Sequence, residues 1–257
     1  MTIIMIPAVE LQTVQLGPVT IYVWGLMVAL GILAGAKASE WMLRQRGLDP
    51  KFVWDALGWI VLGAFIFARF FHAVFYDPAT YLARPIEIFA IWHGGLSITG
   101  GFIGALLAAL WFMRRRRVDP LSYADAIIFG LPLGTFIGRL GCFLTNMHPG
   151  VPTDFFLGML HADGVVRHNL GLYLSFDGLL LFLAFLFMAG RKVRQGSYLV
   201  VFLIWYGVVR FGLDFLRARE GAIVDERYLG FTPAQYGSVL MVAAGIWLFI
   251  RFRQKKL

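Results

Sequence analysis

Three arginines stand in stretches otherwise built of apolar residues: Arg69, Arg139 and Arg210. A guanidinium keeps its charge in any protein environment, and at the centre of a membrane helix it costs about 2.5–3.5 kcal/mol. Each therefore needs an acid of the chain, a bound anion or a water-filled cavity. Asp55, Asp125, Asp177 and Asp214 are the acids available. Asp214 lies one turn beyond Arg210, so the two can pair on one helix face. Arg139 has no acid in its own stretch. For it a phosphate is the matching anion, because a guanidinium can grip one with two parallel hydrogen bonds.

Glycines surround these positions. Gly138 and Gly141 flank Arg139, and the pairs Gly94-Gly95 and Gly100-Gly101 bracket Ser97 and Thr99. Glycine lets either a helix or a ligand approach the backbone closely, and both readings stay open. Tyr206 stands one turn before Arg210, where it can share a cavity or anchor the helix at an interface. Cys142 is the single cysteine, so no intrachain disulfide forms. It can be a nucleophile or a small packing residue. A G-x-x-x-x-G-K-[ST] loop, an H-E-x-x-H pair and transition-metal spacings are all missing from the sequence, so no nucleotide or metal cofactor is implied.

The elements that hold these residues must sit in lipid. Of 257 residues, 59% are apolar and 15% charged, with a mean hydropathy of +0.73. Soluble chains carry about 45–50% and about 25%. Disordered, collagenous, coiled-coil and disulfide-stapled classes are excluded on the same grounds. A net charge of +8 would point a soluble protein towards nucleic acid, but no RNP, zinc-finger or helix-turn-helix pattern accompanies it.

Seven apolar stretches are long enough for helical spans: 19–36, 52–76, 95–113, 122–145, 171–190, 197–217 and 233–250. The first begins after Gly17-Pro18, too late for a cleaved signal peptide. Basic clusters follow spans one, three, five and seven, the largest being Arg114 to Arg117. The positive-inside rule then puts the N-terminus outside and the C-terminus in the cytoplasm. All five histidines, His72, His93, His148, His161 and His168, fall at or near the outer side. The expected architecture is all-α and seven-spanning. It is one integral membrane domain, with an outer-face loop subdomain at residues 146–170.

The ordered motifs resemble a family. Gly138-Arg139-Leu140-Gly141-Cys142-Phe143 is similar to the G-R-x-G-N-F-x-N signature of prolipoprotein diacylglyceryl transferases. Leu16-Gly17-Pro18, Trp24-Gly25-Leu26-Met27, Ala68-Arg69, Phe75-Tyr76, Pro85-Ile86-Glu87-Ile88 and Trp92-His93-Gly94-Gly95-Leu96-Ser97 resemble its other stretches in order. So do Tyr206-Gly207-Val208-Val209-Arg210-Phe211, Asp214-Phe215-Leu216-Arg217 and Thr232-Pro233-Ala234-Gln235. Thr99, Cys142, Thr145 and Met147 stand where the family usually carries His, Asn, Asn and an acid.

The resemblance implies transfer of a diacylglyceryl group from phosphatidylglycerol to the lipobox cysteine of a preprolipoprotein, with glycerol phosphate leaving. It implies a bacterial inner-membrane enzyme with its active face towards the periplasm or exterior. Its partners would be phosphatidylglycerol, the preprolipoprotein signal peptide and membrane lipid. Arg139, Arg210, Tyr206, His93 and His148 are the expected catalytic residues. Arg139, Arg210, Gly138, Gly141, Gly100 and Gly101 are the expected phosphatidylglycerol contacts. The alternative is a family member that binds an anionic phospholipid or a lipoprotein without transferring anything.

Overall fold

The computed structural model describes residues 6–7, 9–90, 94–147, 149–161, 163–219 and 227–254. His93 and His148 lie outside the described residues. The chain divides into two compact units, one from residues 1–39 and 125–257, the other from residues 40–124.

The first unit opens with a hairpin, β1 (Thr13–Leu16) and β2 (Val19–Tyr22), paired antiparallel with Leu16 opposite Val19. Gly17, at φ +61°, takes the first turn position, which a side chain would strain. The first predicted span thus starts late. Val19–Tyr22 is β-branched and aromatic and pairs as a strand, so helix α1 runs Val23–Gln45. It outlasts its predicted end, burying Met42 and Leu43 and closing a Glu40–Arg44 salt bridge along its face at 2.6 Å.

Helix α2 (Lys51–Phe75) and helix α4 (Ile98–Arg115) pair within the second unit. A short α3 (Pro78–Ala83) and a 3₁₀ turn (Pro85–Phe89) connect them. Small residues set the α2–α4 approach: a Cβ on Gly104 would meet the Gly63 carbonyl oxygen at 2.2 Å. Ser97 caps α4 by accepting from the Gly100 N–H at 3.3 Å.

The first unit continues with α5 (Pro120–Leu144), which crosses α1 on glycines: a Cβ on Gly35 would lie 2.9 Å from the Gly130 carbonyl oxygen. Next come three short strands, β3 (Pro149–Pro152), β4 (Met159–Leu160) and β5 (Val166–Asn169), ordered β3-β5-β4 and antiparallel. The expectation of an all-α chain therefore holds for the bulk of the fold and misses two small sheets. Strands this short give little periodic signal, and their residues read as loop. Helices α6 (Leu170–Ala189), α7 (Ser197–Leu213) and α8 (Pro233–Gln254) complete the unit, with a 3₁₀ turn Asp214–Leu216 extending α7.

Among the described residues, six helices are long and apolar enough to cross a membrane: α1, α2, α5, α6, α7 with its extension, and α8. Helix α4, the predicted third span, is 18 residues long and closes on Arg114 and Arg115, which lower its apolar character. Large side chains are widely exposed, among them Phe102 and Leu240 at 71%. Lipid, not water, suits such a surface.

Candidate functional site

The three arginines meet three different fates. Arg69, on α2, is 4% exposed and hydrogen-bonded throughout. Nε donates to the Ile88 carbonyl (3.0 Å), Nη1 to those of Gly94 and Gly95 (3.1 Å for the latter), and Nη2 to those of Glu87 and Ala90 (3.0 Å for the latter). A guanidinium carries five N–H groups, and here five carbonyls accept them. The ring of Tyr81 lies 5.0 Å from its carbon. This arginine needs neither an acid nor a ligand. It ties the loop after α3 onto α2.

Arg210, 9% exposed near the end of α7, reaches Asp214 one turn on, with Nη2 3.1 Å from Oδ1. Asp214 is wholly buried and also lies 2.8 Å from the Nε of Arg217. Its Oδ2 accepts from the Thr232 hydroxyl. Thr232 is itself the N-cap of α8. The Gln235 N–H donates to its hydroxyl at 3.2 Å, and its own N–H donates to the Gln235 side-chain oxygen at 3.0 Å. That reciprocal pair is a capping box, with Pro233 at the first helical position. The start of α8 therefore clamps the carboxylate that holds the end of α7. The Nη1 of Arg210 is buried without a hydrogen-bond partner among the described residues.

Arg139, on α5, lies within electrostatic range of this group. Its charge and that of Arg210 both act on Arg217. Among the described residues its protein contact is the Sγ of buried Cys142, at 4.0 Å from Nη1. A thiol satisfies little of a guanidinium, so most of the Arg139 donors stay open to a ligand. Gly138 beside it has nothing within 4 Å of where a Cβ would stand.

The other expected site residues are dispersed. Gly141 receives α1, since its Cβ would lie 2.8 Å from the Met27 Cβ. In the second unit, Gly100 packs on the Phe67 carbonyl and Phe71, and Gly101 makes ordinary contacts with Ala64 and Ala68. Tyr206 stacks on Phe202, 5.4 Å between ring centres. The remaining acids are engaged elsewhere. Asp55 pairs with Arg116, Asp125 accepts from the Leu199 N–H at 2.9 Å, and Asp177 accepts from the Trp205 indole at 2.7 Å. Sequence reasoning did not weigh Thr232 and Gln235 as supports of the site, although their T-x-x-Q spacing is a readable capping signal.

In the strand-rich segment, burial holds the His168 imidazole below its ordinary value. His161 is lowered too, by burial first and then by Arg167. Asp163 is held at about 2, chiefly by its hydrogen bond from Arg167. Among the described residues, no three His, Cys, Asp or Glu side chains gather as a metal would need.

A mostly helical, multi-pass membrane chain with a buried cationic cluster clamped on one carboxylate defines the class. The chain belongs to the prolipoprotein diacylglyceryl transferase family, whose model matches residues 12–251. Relatives named phosphatidylglycerol–prolipoprotein diacylglyceryl transferase are similar over nearly their full length. One from Nitrosomonas europaea is 34% identical over 249 residues, covering 94% of this chain and 89% of the relative. Another from Nitratidesulfovibrio vulgaris is 32% identical over 259 residues, covering 96% and 95%. A third, from Methylobacillus flagellatus, is 32% identical over 253 residues, covering 95% and 97%.

Proposed function

We propose that the protein transfers the diacylglyceryl group of phosphatidylglycerol to the cysteine thiol of a prolipoprotein. The observation that carries the reading is the pair of unspent guanidiniums, Arg139 and the Nη1 edge of Arg210, in the stretches that match the family motifs. In the reaction the sulfur bonds to the glyceryl carbon that carries the phosphate, and that C–O bond breaks. Glycerol phosphate leaves with the electron pair, and the thiol proton goes to a base. The phosphate gains a negative charge as the bond breaks. Guanidiniums already aimed at it stabilise that developing charge more than the ground state.

We assign Arg139 and Arg210 to the phosphate, and Gly138 to the space beside it. Asp214, clamped by Thr232, positions Arg210. Tyr206, His93 and His148 are the candidates for handling the thiol proton, and Gly141, Gly100 and Gly101 shape the helix contacts around the lipid. The nucleophile belongs to the protein substrate, so the chain needs no serine or cysteine of its own.

In the same reading the chain is one integral membrane domain of seven spans in the bacterial inner membrane, α4 being the third. Its N-terminus is outside, its C-terminus in the cytoplasm, and residues 146–170 form the outer loop subdomain. The lipobox arrives on a signal peptide within the bilayer. A role limited to binding is not favoured, since relatives matched across nearly the whole chain carry the enzyme's name.

The test is transfer in defined vesicles holding the purified protein, labelled phosphatidylglycerol and a lipobox peptide, with glycerol phosphate release followed. Turnover that disappears in Arg139→Ala supports the reading. Retained lipid without turnover in the unaltered protein refutes it.

A further inference from the structure

Transfer needs a base for the lipobox thiol, and Thr99 stands where the family usually carries a histidine. His168, on strand β5, is not among the candidates that the motifs supply. Strand alternation sends its side chain to the face opposite Arg167, which pairs with exposed Asp163 at 2.7 Å. The ring is held there by two aromatic neighbours. Tyr173, in the first turn of α6, has its hydroxyl oxygen 2.8 Å from Nδ1, and the Phe155 ring lies 6.1 Å away, centre to centre. The Tyr173 hydroxyl also lies 3.3 Å from the Leu157 carbonyl oxygen.

These contacts assign the protons. A carbonyl only accepts, so the single hydroxyl proton of Tyr173 goes to Leu157. The phenol oxygen then accepts from Nδ1–H, and the lone pair of the neutral ring sits on Nε2. The opposite tautomer would set the phenol and carbonyl oxygens together with no proton between them. Nε2 makes no hydrogen bond among the described residues and is not sealed in the interior, as the Nε2 of His161 is. The ring is half-buried, and burial holds it below its ordinary value, so it is neutral at pH 7.

The sheet also sets His168 beside the cationic cluster. Strand β3 pairs with β5, and its Gly150 bridges the backbone of Arg217 antiparallel. A Cβ on Gly150 would stand 2.8 Å from the His168 Cβ and 2.5 Å from the Leu216 carbonyl oxygen. Glycine leaves no side chain between the two, so the His168 Cβ is within about 5 Å of that carbonyl. Arg217 follows directly, its Nε on the same Asp214 oxygen that Arg210 contacts. The titratable groups about the ring are Tyr173 from α6 and, across Gly150, Arg217; the loop between β3 and β4 adds Phe155 and the Leu157 carbonyl, which do not titrate. We propose that His168 is the general base of the transfer and that Tyr173 positions it. Nε2 takes the S–H proton, and the sulfur pair forms the bond to the glyceryl carbon. The pair of the broken C–O bond leaves on the phosphate of glycerol phosphate, and the imidazolium gives its proton to water. The proposal rests on the transferase reading above and adds the base that the motifs lack.

The test follows transfer by the full chain in vesicles from about pH 6.5 to 9, with labelled phosphatidylglycerol and a lipobox peptide. The base of the unaltered protein is neutral throughout, so its kcat is expected to change little over this range. His168→Gln keeps a donor for the Tyr173 hydroxyl but has no basic nitrogen. At pH 7 its kcat is expected to fall by about a hundred-fold or more, with phosphatidylglycerol retention and Tm unchanged. Its rate then climbs by about ten-fold per pH unit up to about pH 8, as the peptide thiol, with an ordinary pKa of about 8.5, ionises unaided. Tyr173→Phe keeps the ring and loses the acceptor for Nδ1–H, so kcat falls by about ten-fold with KM for phosphatidylglycerol unchanged. A His168→Gln rate within a few-fold of the unaltered protein overturns the proposal. So does a rate lowered by one constant factor at every pH, or one still lost at pH 9, where the thiol needs no base; a residue that only supports the fold gives those results. Full turnover in Tyr173→Phe overturns the proton assignment and the proposal with it. An unaltered protein that retains lipid and transfers nothing fails the enzyme reading, whereas transfer with parallel pH profiles fails this inference alone.

Discussion

Arg139 and Arg69 are both arginines in apolar helices, and the structure predicts opposite consequences for removing them. Among the described residues Arg139 makes one weak protein contact, to the Cys142 Sγ at 4.0 Å. Arg139→Ala therefore deletes little that the fold uses, and stability is expected to change by less than about 1 kcal/mol. The loss falls on the ligand. Two charge-assisted hydrogen bonds to phosphate, at about 1.5–3 kcal/mol each, correspond to a fall in kcat/KM of about a hundred-fold or more. Arg139→Lys keeps the charge but offers no planar fork, so it should recover part of the rate and not all of it.

Arg69→Lys is the control. It leaves several of five carbonyls without their donor, and a loss of about 3 kcal/mol or more is expected from the buried orphans. In a chain of this size each kcal/mol moves the midpoint by about 2–4 °C, so the apparent Tm should fall by roughly 6–12 °C. The assay pairs thermal unfolding in detergent at a fixed scan rate with vesicle transfer. If Arg139→Ala unfolds early, or Arg69→Lys keeps its Tm, the division into a ligand-binding and a structural arginine is wrong.

Further outcomes follow from the other contacts. Asp214→Asn removes the anion from between Arg210 and Arg217, and a destabilisation of about 3–5 kcal/mol is expected in thermal unfolding; Thr232→Val, which loses the cap and one donor, should cost about 1–2 kcal/mol. Gly138→Ala enters open space and should leave Tm unchanged or raised while raising KM for phosphatidylglycerol, whereas Gly141→Ala meets Met27 and should lower Tm. Stability should fall with acidity. His161 and His168 are held below their ordinary 6.5, so the unfolded chain binds their protons first, and stability present above pH 6.5 is lost as pH drops through the folded values. A Tm that is flat from pH 7.5 to 5.5 would refute this. The Asp163 contribution, with a folded value of about 2, is lost in a separate and lower window, between about pH 4 and 2.

Most of the helices were legible because lipid demands long apolar runs. The stretches 52–76, 122–145 and 171–190 lie within a residue or two of α2, α5 and α6. Composition misplaces a boundary where two structures share one composition. Val19–Tyr22 is apolar enough for a helix and pairs as a strand, while Lys37 to Arg44 look like loop and continue α1. In the cationic cluster, Arg210 and Asp214 are one turn apart and therefore readable, as is the T-x-x-Q cap. That Arg139 stands near them is a tertiary fact, hidden in a separation of seventy-one residues. The carbonyl cage of Arg69 was invisible for another reason: every backbone has carbonyls, and no residue type announces that five will converge.

That cage bears on how the membrane receives the chain. While α2 enters the bilayer, the residues that neutralise Arg69 are not yet made or not yet folded, since they follow it by eighteen to twenty-six positions. The bare guanidinium opposes deep insertion, and the unfolded carbonyls of the following loop oppose burial for want of donors. Each relieves the other once they meet. Burial of α2 and the fixing of the Glu87, Ile88, Ala90, Gly94 and Gly95 carbonyls are thus one event, completed when α4 has been synthesised far enough to take up its cap at Ser97. A truncated chain ending near residue 90 would keep α2 riding shallow, a state in which quality-control proteases could recognise unfinished copies.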